Sequence, residues 1–208
     1  MWQLRHASNQ ADGVPGISTT KGRGAASIVK AWTEPPCPSQ TSSCVPETVY
    51  LSLGSNLGVR QGHLRAALSG LGRKGEVMAV SSFYETEPVE FTEQPWFLNC
   101  AVGLKTDRSP QELLAEILAL EQELGRHRIE EKGQRIKGPR IIDLDILLFG
   151  STVTRESGLS IPHPALHERR FVLEPLAEIA PEFVHPALNL TVREMLSRLP
   201  PGAAVRRL

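Results

Sequence analysis

Apolar residues recur along this chain with two alternating periods, and that alternation predicts the architecture. From Thr48 the run TVYLSL reads as a strand. Leu64, Ala67, Leu68 and Leu71 then share one stripe of a helix expected over roughly 59–71, with Gly54-Ser55-Asn56 as the turn that caps it. EVMAVSSFY at 76–84 reads as a second strand. FLNCAVGL at 97–104 reads as a third, and the acid- and proline-rich stretch 85–96 as the loop between them. Along the third strand Leu98, Cys100, Val102 and Leu104 face one way, and Phe97, Asn99, Ala101 and Gly103 the other. Ser109-Pro110-Gln111-Glu112 is a capping box ahead of Leu113, Leu114, Ile117, Leu120 and Leu124. The spacing predicts a helix that Gly125 stops as a C′ residue. A strand over 141–149 follows, then FVLEPLAEIA as a short helix or turn, and a closing helix near 191–199. The order β-α-β-β-α-β implies an α+β fold. Its core is a ferredoxin-like antiparallel sheet with helices on one face and the other face free for ligands.

Residues 1–46 show no such period. They are dense in Gly, Pro, Ser and Thr, and such a segment cannot bury enough surface to offset its ordering entropy. The expected division is therefore a disordered tail, 1–46, and one domain, 47–208, within a 208-residue chain. Formal net charge is zero, which argues against broad electrostatic attraction to nucleic acid or an anionic membrane. The three cysteines, Cys37, Cys44 and Cys100, imply no disulfide framework. No apolar run reaches transmembrane length and the N-terminus lacks the apolar core of a secretory signal, so a cytoplasmic location is expected.

One apolar run carries charge. In Ile141-Ile142-Asp143-Leu144-Asp145-Ile146-Leu147-Leu148-Phe149 the period of two puts Asp143 and Asp145 on one face, with Ile142, Leu144, Ile146 and Leu148 on the other. Two carboxylates on one face of a core strand repel each other and lose hydration. A divalent cation such as Mg²⁺ relieves both penalties. Solvent at a strand end, or pairing with arginines, would relieve them too, and the pair alone leaves these readings open. Upstream lie Lys137-Gly138-Pro139-Arg140 and Gly125-Arg126-His127-Arg128. Carboxylates holding a metal beside guanidiniums binding phosphate oxygens would form a metal–polyphosphate site. A solvated basic loop is the plainer alternative, which clustering beside the aspartates disfavours.

Six blocks carry a family resemblance: YLSLGSNLG at 50–58, SSFYETEPV at 81–89, QPWFLNCAV at 94–102, EQELGR at 121–126, GPRIIDLDILLFG at 138–150 and IPHPALHERRFVLEPLAEIAP at 161–181. In this order, residues 48 to about 190 resemble 6-hydroxymethyl-7,8-dihydropterin pyrophosphokinase, an enzyme of folate biosynthesis. The resemblance implies Mg²⁺-dependent transfer of pyrophosphate from ATP to the hydroxymethyl oxygen of the pterin, giving AMP and the pterin diphosphate. It implies two Mg²⁺ ions on Asp143 and Asp145, with Arg126 and Arg140 neutralising charge on the transferred group. Phe97 and Phe171 would sandwich the pterin, Asn99 would read its amide-like edge, and Thr86 and the main chain near Val89 would add contacts. Glu121, Arg128, Arg140, His163 and Arg169 would serve the nucleotide. For Arg128 an ion pair with Glu130 or Glu131 stands as the alternative. The implied partners are ATP and the pterin, with loose association with neighbouring folate-pathway enzymes, and neither nucleic acid nor membrane.

The chain departs from the family pattern in four places. The 128–139 loop is longer than in the shortest members. Lys137 replaces a tryptophan of well-studied relatives, Pro164 replaces a tyrosine common after the histidine, and Glu87 replaces a proline found in some members, which changes loop stiffness. The charged 129–138 stretch is expected to close as a lid, using Lys132, Arg135 and Lys137. A nucleotidyltransferase, which would release diphosphate, and a non-catalytic nucleotide or pterin sensor are the competing classes.

Overall fold

Alternation along the first strand sets the two faces of the sheet. In the computed structural model, residues 45–89, 92–126, 138–156 and 158–208 are described, with the backbone of 130–131 and 134–135. The 1–44 part of the expected tail lies outside the described residues. Val49, Leu51 and Leu53 of β1 (Glu47–Ser55) are fully buried against the helices, while Tyr50, Ser52 and Gly54 lie on the opposite face. The chain continues through α1 (Arg60–Leu71), β2 (Glu76–Val80), β3 (Tyr84–Thr86), β4 (Phe97–Thr106) and α2 (Pro110–Glu123). Next come a small hairpin of β5 (Glu130–Glu131) and β6 (Gln134–Arg135), the strand β7 (Asp143–Phe149), and a second hairpin of β8 (Thr154–Glu156) and β9 (Leu159–Ile161). A 3-10 turn (Leu166–Glu168), α3 (Arg170–Ile179), β10 (Val184–His185), β11 (Leu190–Thr191), α4 (Val192–Arg198) and β12 (Val205–Arg207) complete it. The central sheet runs β12-β3-β4-β1-β7, with β2 also on β4, and every pairing is antiparallel. Its β1-α1-β2/β3-β4-α2-β7 core is the expected ferredoxin-like α+β arrangement.

The helices divide between the faces. Leu64, Ala67 and Leu71 of α1 and Leu113, Ile117 and Leu120 of α2 pack on Leu51, Leu53, Leu98, Cys100, Val102 and Leu144. The capping box at Ser109 and Glu112 is formed, and Gly125 takes φ +89°, the left-handed conformation its C′ position needs. The other face is only partly free, contrary to the expectation. Val172, Leu173 and Leu176 of α3, with Val192 and Met195 of α4, cover Ala101, Leu147 and Leu148. The end that carries Ser52, Gly54, Asn99, Asp143 and Asp145 stays open.

Local irregularities explain the other departures. Tyr50 faces Leu148 while Leu51 faces Ile146, so Leu147 is the extra residue of a β-bulge. The bulge turns Leu148 to the face of the aspartates, opposite to the side that strict alternation assigns it. The expected 76–84 strand is broken. Val80 faces Val102 but Tyr84 faces Asn99, which leaves one residue surplus, and the Ser81 hydroxyl accepts the Ala101 N–H (2.9 Å) in place of a main-chain carbonyl. Thr86, expected in the loop, is therefore the last residue of β3. Asn56 does not cap α1, whose N-cap, Val59, makes no side-chain capping bond. The closing helix is present as α4, but the chain goes on to add β12 beside β3.

Glu178 of α3 ties these parts together. Its carboxylate accepts from the Ser82 N–H (3.0 Å) and hydroxyl (2.9 Å), the Tyr84 hydroxyl (2.9 Å) and the Arg207 guanidinium (2.9 Å). Burial alone would raise its pKa, but the hydrogen bonds from Ser82 and Tyr84, aided by Arg207, bring it below the usual value of 4.5. Glu178→Ala is expected to cost about 2–3 kcal/mol, seen as a lower melting temperature at pH 7. Because the folded carboxylate is the more acidic, the difference from wild type should be full above pH 4.5 and shrink as pH falls through the folded value. A difference that grows on acidification would contradict this.

Candidate active site

Small residues at the middle of the sheet make the trough. Across the open face Asn99 of β4 lies beside Gly54 of β1, and Gly54 beside Asp143 of β7; Ser52 pairs with Ala101 on one side and Asp145 on the other. A Cβ on Gly54 would sit 2.6 Å from the Asn99 side-chain oxygen, so a larger residue there would close the floor. The resulting cavity of about 390 Å³ is lined by Thr86, Val89, Phe97, Asn99, Arg126, Arg140, Asp143, Asp145, His163, Arg169 and Phe171. These are eleven of the thirteen residues expected at the site. Ser52, Gly54, Glu87, Pro88 and Gln94 line it as well.

The remaining two differ. Arg128 lies outside the described residues, as do the side chains expected to form the lid. Glu121 does not line the cavity. It is fully buried on α2, accepts the Leu144 N–H (2.8 Å) and ion-pairs with Arg126. Its carboxylate therefore stands behind Arg126 and fixes it.

Asp143 receives two guanidiniums, Arg126 from the end of α2 and Arg140 from the turn before β7, the latter at 2.6 Å. Arg140 also lies over the Phe97 ring, 5.5 Å from its centroid, and its Nε is buried with no hydrogen-bond partner among the described residues. Asn56, missed as a site residue, holds this arginine's backbone. Its Oδ1 accepts the Arg140 N–H (2.7 Å) and its own N–H donates to the Arg140 carbonyl (3.1 Å). Its Nδ2 donates to Gln94 Oε1 (3.0 Å) and the Pro95 carbonyl (3.2 Å), which joins the two rims of the cavity. A buried Asn directly after a strand was the available signal, but it reads equally as a turn residue.

Asp145 reaches the cavity floor but is surrounded by protein on most sides. Burial first, then the charges of Asp143 and Glu121, raise its pKa to about 7. His163 is shifted the other way, by burial and then by Arg169, and is neutral at pH 7. Its Nδ1 accepts the Ala165 N–H (3.2 Å), so Nε2 carries the proton. Arg169 lies 5.7 Å from the Phe171 centroid at the start of α3, whose positive helix end borders the same space. At the opposite end, the Asn99 amide donates to the Thr86 hydroxyl (2.6 Å) beside Phe97.

Among the described residues no three His, Cys, Asp or Glu side chains form a group that could hold a metal unaided. Asp143 and Asp145 offer two hard carboxylates. That donor set fits Mg²⁺, which binds through one or two carboxylates and completes its shell with water and phosphate oxygens.

Such a fold and cavity define a class: an α+β domain with a concave site in which aromatic, amide, carboxylate and guanidinium side chains line one space. Residues 50–181 match the family of 7,8-dihydro-6-hydroxymethylpterin-pyrophosphokinase (HPPK), and the chain belongs to this family of pyrophosphokinases. It is 42% identical over 159 residues to the 2-amino-4-hydroxy-6-hydroxymethyldihydropteridine pyrophosphokinase of Methylorubrum extorquens, covering 76% of this chain and 96% of that protein. It is 40% identical over 154 residues to the folic acid synthesis protein fol1 of Pneumocystis carinii, which covers 74% of this chain and 20% of that one. The chain thus spans only about a fifth to a quarter of the folic acid synthesis proteins it matches. Wild-type HPPK-DHPS of Plasmodium falciparum, solved with STZ-DHP, shares the fold at a TM-score of 0.60 and 17% identity, over 76% of this chain and 44% of that one. Among the described residues no helix is long and apolar enough to cross a membrane.

Gly54→Ala is expected to push the Asn99 side chain off Thr86, at a cost of about 1–3 kcal/mol in stability. The Asn99 side-chain amide signals in a ¹⁵N-correlated NMR spectrum should move while those of α1 and α2 stay. Unmoved Asn99 signals would contradict this geometry.

Proposed function

We propose that the protein transfers a pyrophosphoryl group from ATP to 6-hydroxymethyl-7,8-dihydropterin, giving AMP and the pterin diphosphate for folate synthesis. The observation that carries this reading is the mixed lining of one cavity: Phe97, Phe171, Asn99 and Thr86 supply aromatic and hydrogen-bonding surface, while Asp143, Asp145, Arg126, Arg140, Arg169 and His163 supply charge and donors. A pterin and a polyphosphate need these two surroundings side by side.

In the reaction, the pterin hydroxyl oxygen bonds to the β-phosphorus. The bond from that phosphorus to the α–β bridging oxygen breaks, its electrons leave on AMP, and the hydroxyl proton is lost to solvent. Phe97 and Phe171 hold the ring by stacking, and Asn99, steadied by Thr86, reads its amide edge. Val89 adds a main-chain contact at the rim. Asp143 and Asp145 would hold two Mg²⁺ ions, which neutralise phosphate charge when bound. Arg126 and Arg140, which meet Asp143 from two sides, would present their donors to the transferred group. The neutral His163 donates from Nε2, and Arg169 pairs with phosphate, with Arg128 as a further nucleotide contact. Glu121 aims Arg126. Positioning and charge neutralisation supply most of the catalysis in such transfers.

We place the protein in the cytoplasm, with its domain over 47–208, in loose association with neighbouring folate-pathway enzymes. The likeness in fold to the HPPK-DHPS of Plasmodium falciparum supports that association.

The test is a product assay with Mg-ATP and the pterin, with nucleotides separated by chromatography. AMP that depends on the pterin is expected. Asp143→Ala should lower turnover by about 10³-fold or more, the scale of losing a main charge-stabilising group, while the protein still melts cooperatively. Diphosphate or ADP as the product, or bound ATP without turnover, would overturn the reading in favour of a nucleotidyltransferase, a simple kinase or a sensor.

A further inference from the structure

Beyond the 50–181 stretch that matches the family, the chain returns to the sheet and ties down one rim of the cavity. In β12, Val205 faces Thr86, Arg206 faces Glu85 and Arg207 faces Tyr84. Thr86 is the hydroxyl that receives the Asn99 amide. Both ends of the adjoining 87–96 stretch are fastened here. At its start the Glu87 N–H donates to the Ala204 carbonyl (2.9 Å), and the Ala204 N–H donates to the Glu87 carboxylate (3.1 Å). At its end the Arg206 guanidinium lies 4.9 Å from the centroid of the Trp96 ring. The Trp96 carbonyl in turn accepts from Arg60 (2.8 Å), which is paired with Glu85 of β3 (2.8 Å). Glu87, Pro88, Val89 and Gln94 line the cavity, and Trp96 immediately precedes Phe97, but neither Trp96 nor Arg206 lines it.

Both ties at the start of the rim depend on Glu87, its N–H and its carboxylate; a proline here would supply neither. Arg206 supplies the tie at the other end. Arg206 acts from outside the cavity, while Glu87 is part of its lining.

We propose that β12 is a positioning strand for the ring end of the cavity, and that Arg206 on Trp96, together with Ala204 on Glu87, sets the affinity for the heterocyclic substrate. This rests on the reading of that end as the pterin site. The nucleotide side is held by α2, the turn before β7 and the start of α3 and meets this rim through Asn56, so a change at β12 alters nucleotide affinity less than pterin affinity.

The test compares full-length wild type, Arg206→Leu and Arg206→Lys. An exposed cation–aromatic contact corresponds to a factor of about 2–5, so Arg206→Leu should raise the KM for the pterin about threefold. Its KM for ATP should rise less than the pterin KM, its kcat and melting temperature should stay at wild-type values, and Arg206→Lys should restore the pterin KM. An unchanged pterin KM, or an equal rise in both KM values, would overturn the proposal. Amide hydrogen exchange without substrate provides the independent arm. Residues 87, 89, 92–94 and 96 should exchange faster in Arg206→Leu, with β1 and β4 unaltered. If wild type forms no pterin-dependent AMP, the functional reading fails and the exchange data alone decide, unaltered exchange in the rim overturning the positioning role.

Discussion

Asp143 is held between two guanidiniums that approach from different parts of the chain, and the rest of the site is arranged around that balance of charge. Arg126 comes from the end of α2, where Gly125 turns the chain and Glu121 fixes the guanidinium from behind. Arg140 comes from the turn before β7, locked by Asn56. Three carboxylates, Glu121, Asp143 and Asp145, are thereby kept at the sheet against their mutual repulsion, and burial first, then the charges of Asp143 and Glu121, raise the pKa of Asp145. In solvent such pairs would contribute little, but here both arginines are largely sheltered, and removing one partner would leave a poorly solvated charge. On our reading, Asp143 and Asp145 would hold the cations, and Arg126 and Arg140 would offer donors to phosphate.

The open end of the sheet exists because the opposite end is filled. The bulge at Leu147 turns Leu148 onto the same face as the aspartates, where it joins Ala101 and the apolar side of α3 and α4. Without that shift Leu148 would face α1 and α2, and α3 would lose part of its seat. Since α3 begins with Arg169 and Phe171, its docking also delivers these two to the cavity. A packing irregularity two residues beyond Asp145 therefore governs where the polar face ends and the apolar face begins.

Much of this was legible in the sequence because it depends on period. Alternation along β4 put Phe97 and Asn99 on one face, and alternation along β7 put Asp143 beside Asp145. The 3.6-residue stripe and the Ser109 capping box defined α2. What escaped depends on breaks in period or on distant partners. The Leu147 bulge is invisible in a run of uniformly apolar residues. The Ser81 break needs a hydroxyl opposite a particular amide of β4. Glu121 looks like any helix glutamate until β7 brings the Leu144 N–H to it. β12 is a short Val-Arg-Arg segment with no apolar alternation, and it forms a strand because β3 offers an edge and Glu178 holds Arg207. Asn56 reads as a cap because it precedes a helix, yet its partners lie far along the chain.

The central claim is that the open sheet face stores unfavourable charge in return for its chemistry. Asp145 has a folded pKa raised to about 7 from an ordinary 3.8, so in metal-free protein its ionisation lowers stability as pH rises through that range. The most direct test is the melting temperature of metal-free wild type and Asp145→Asn across pH 5–8, beside turnover with Mg-ATP and the pterin. The variant should be the more stable at pH 8, by about 2–4 °C for each kcal/mol relieved, with an advantage that shrinks toward pH 5 as the pH approaches the ordinary value of 3.8, and it should be inactive. A variant less stable than wild type at pH 8, or one that keeps its turnover, would contradict the claim.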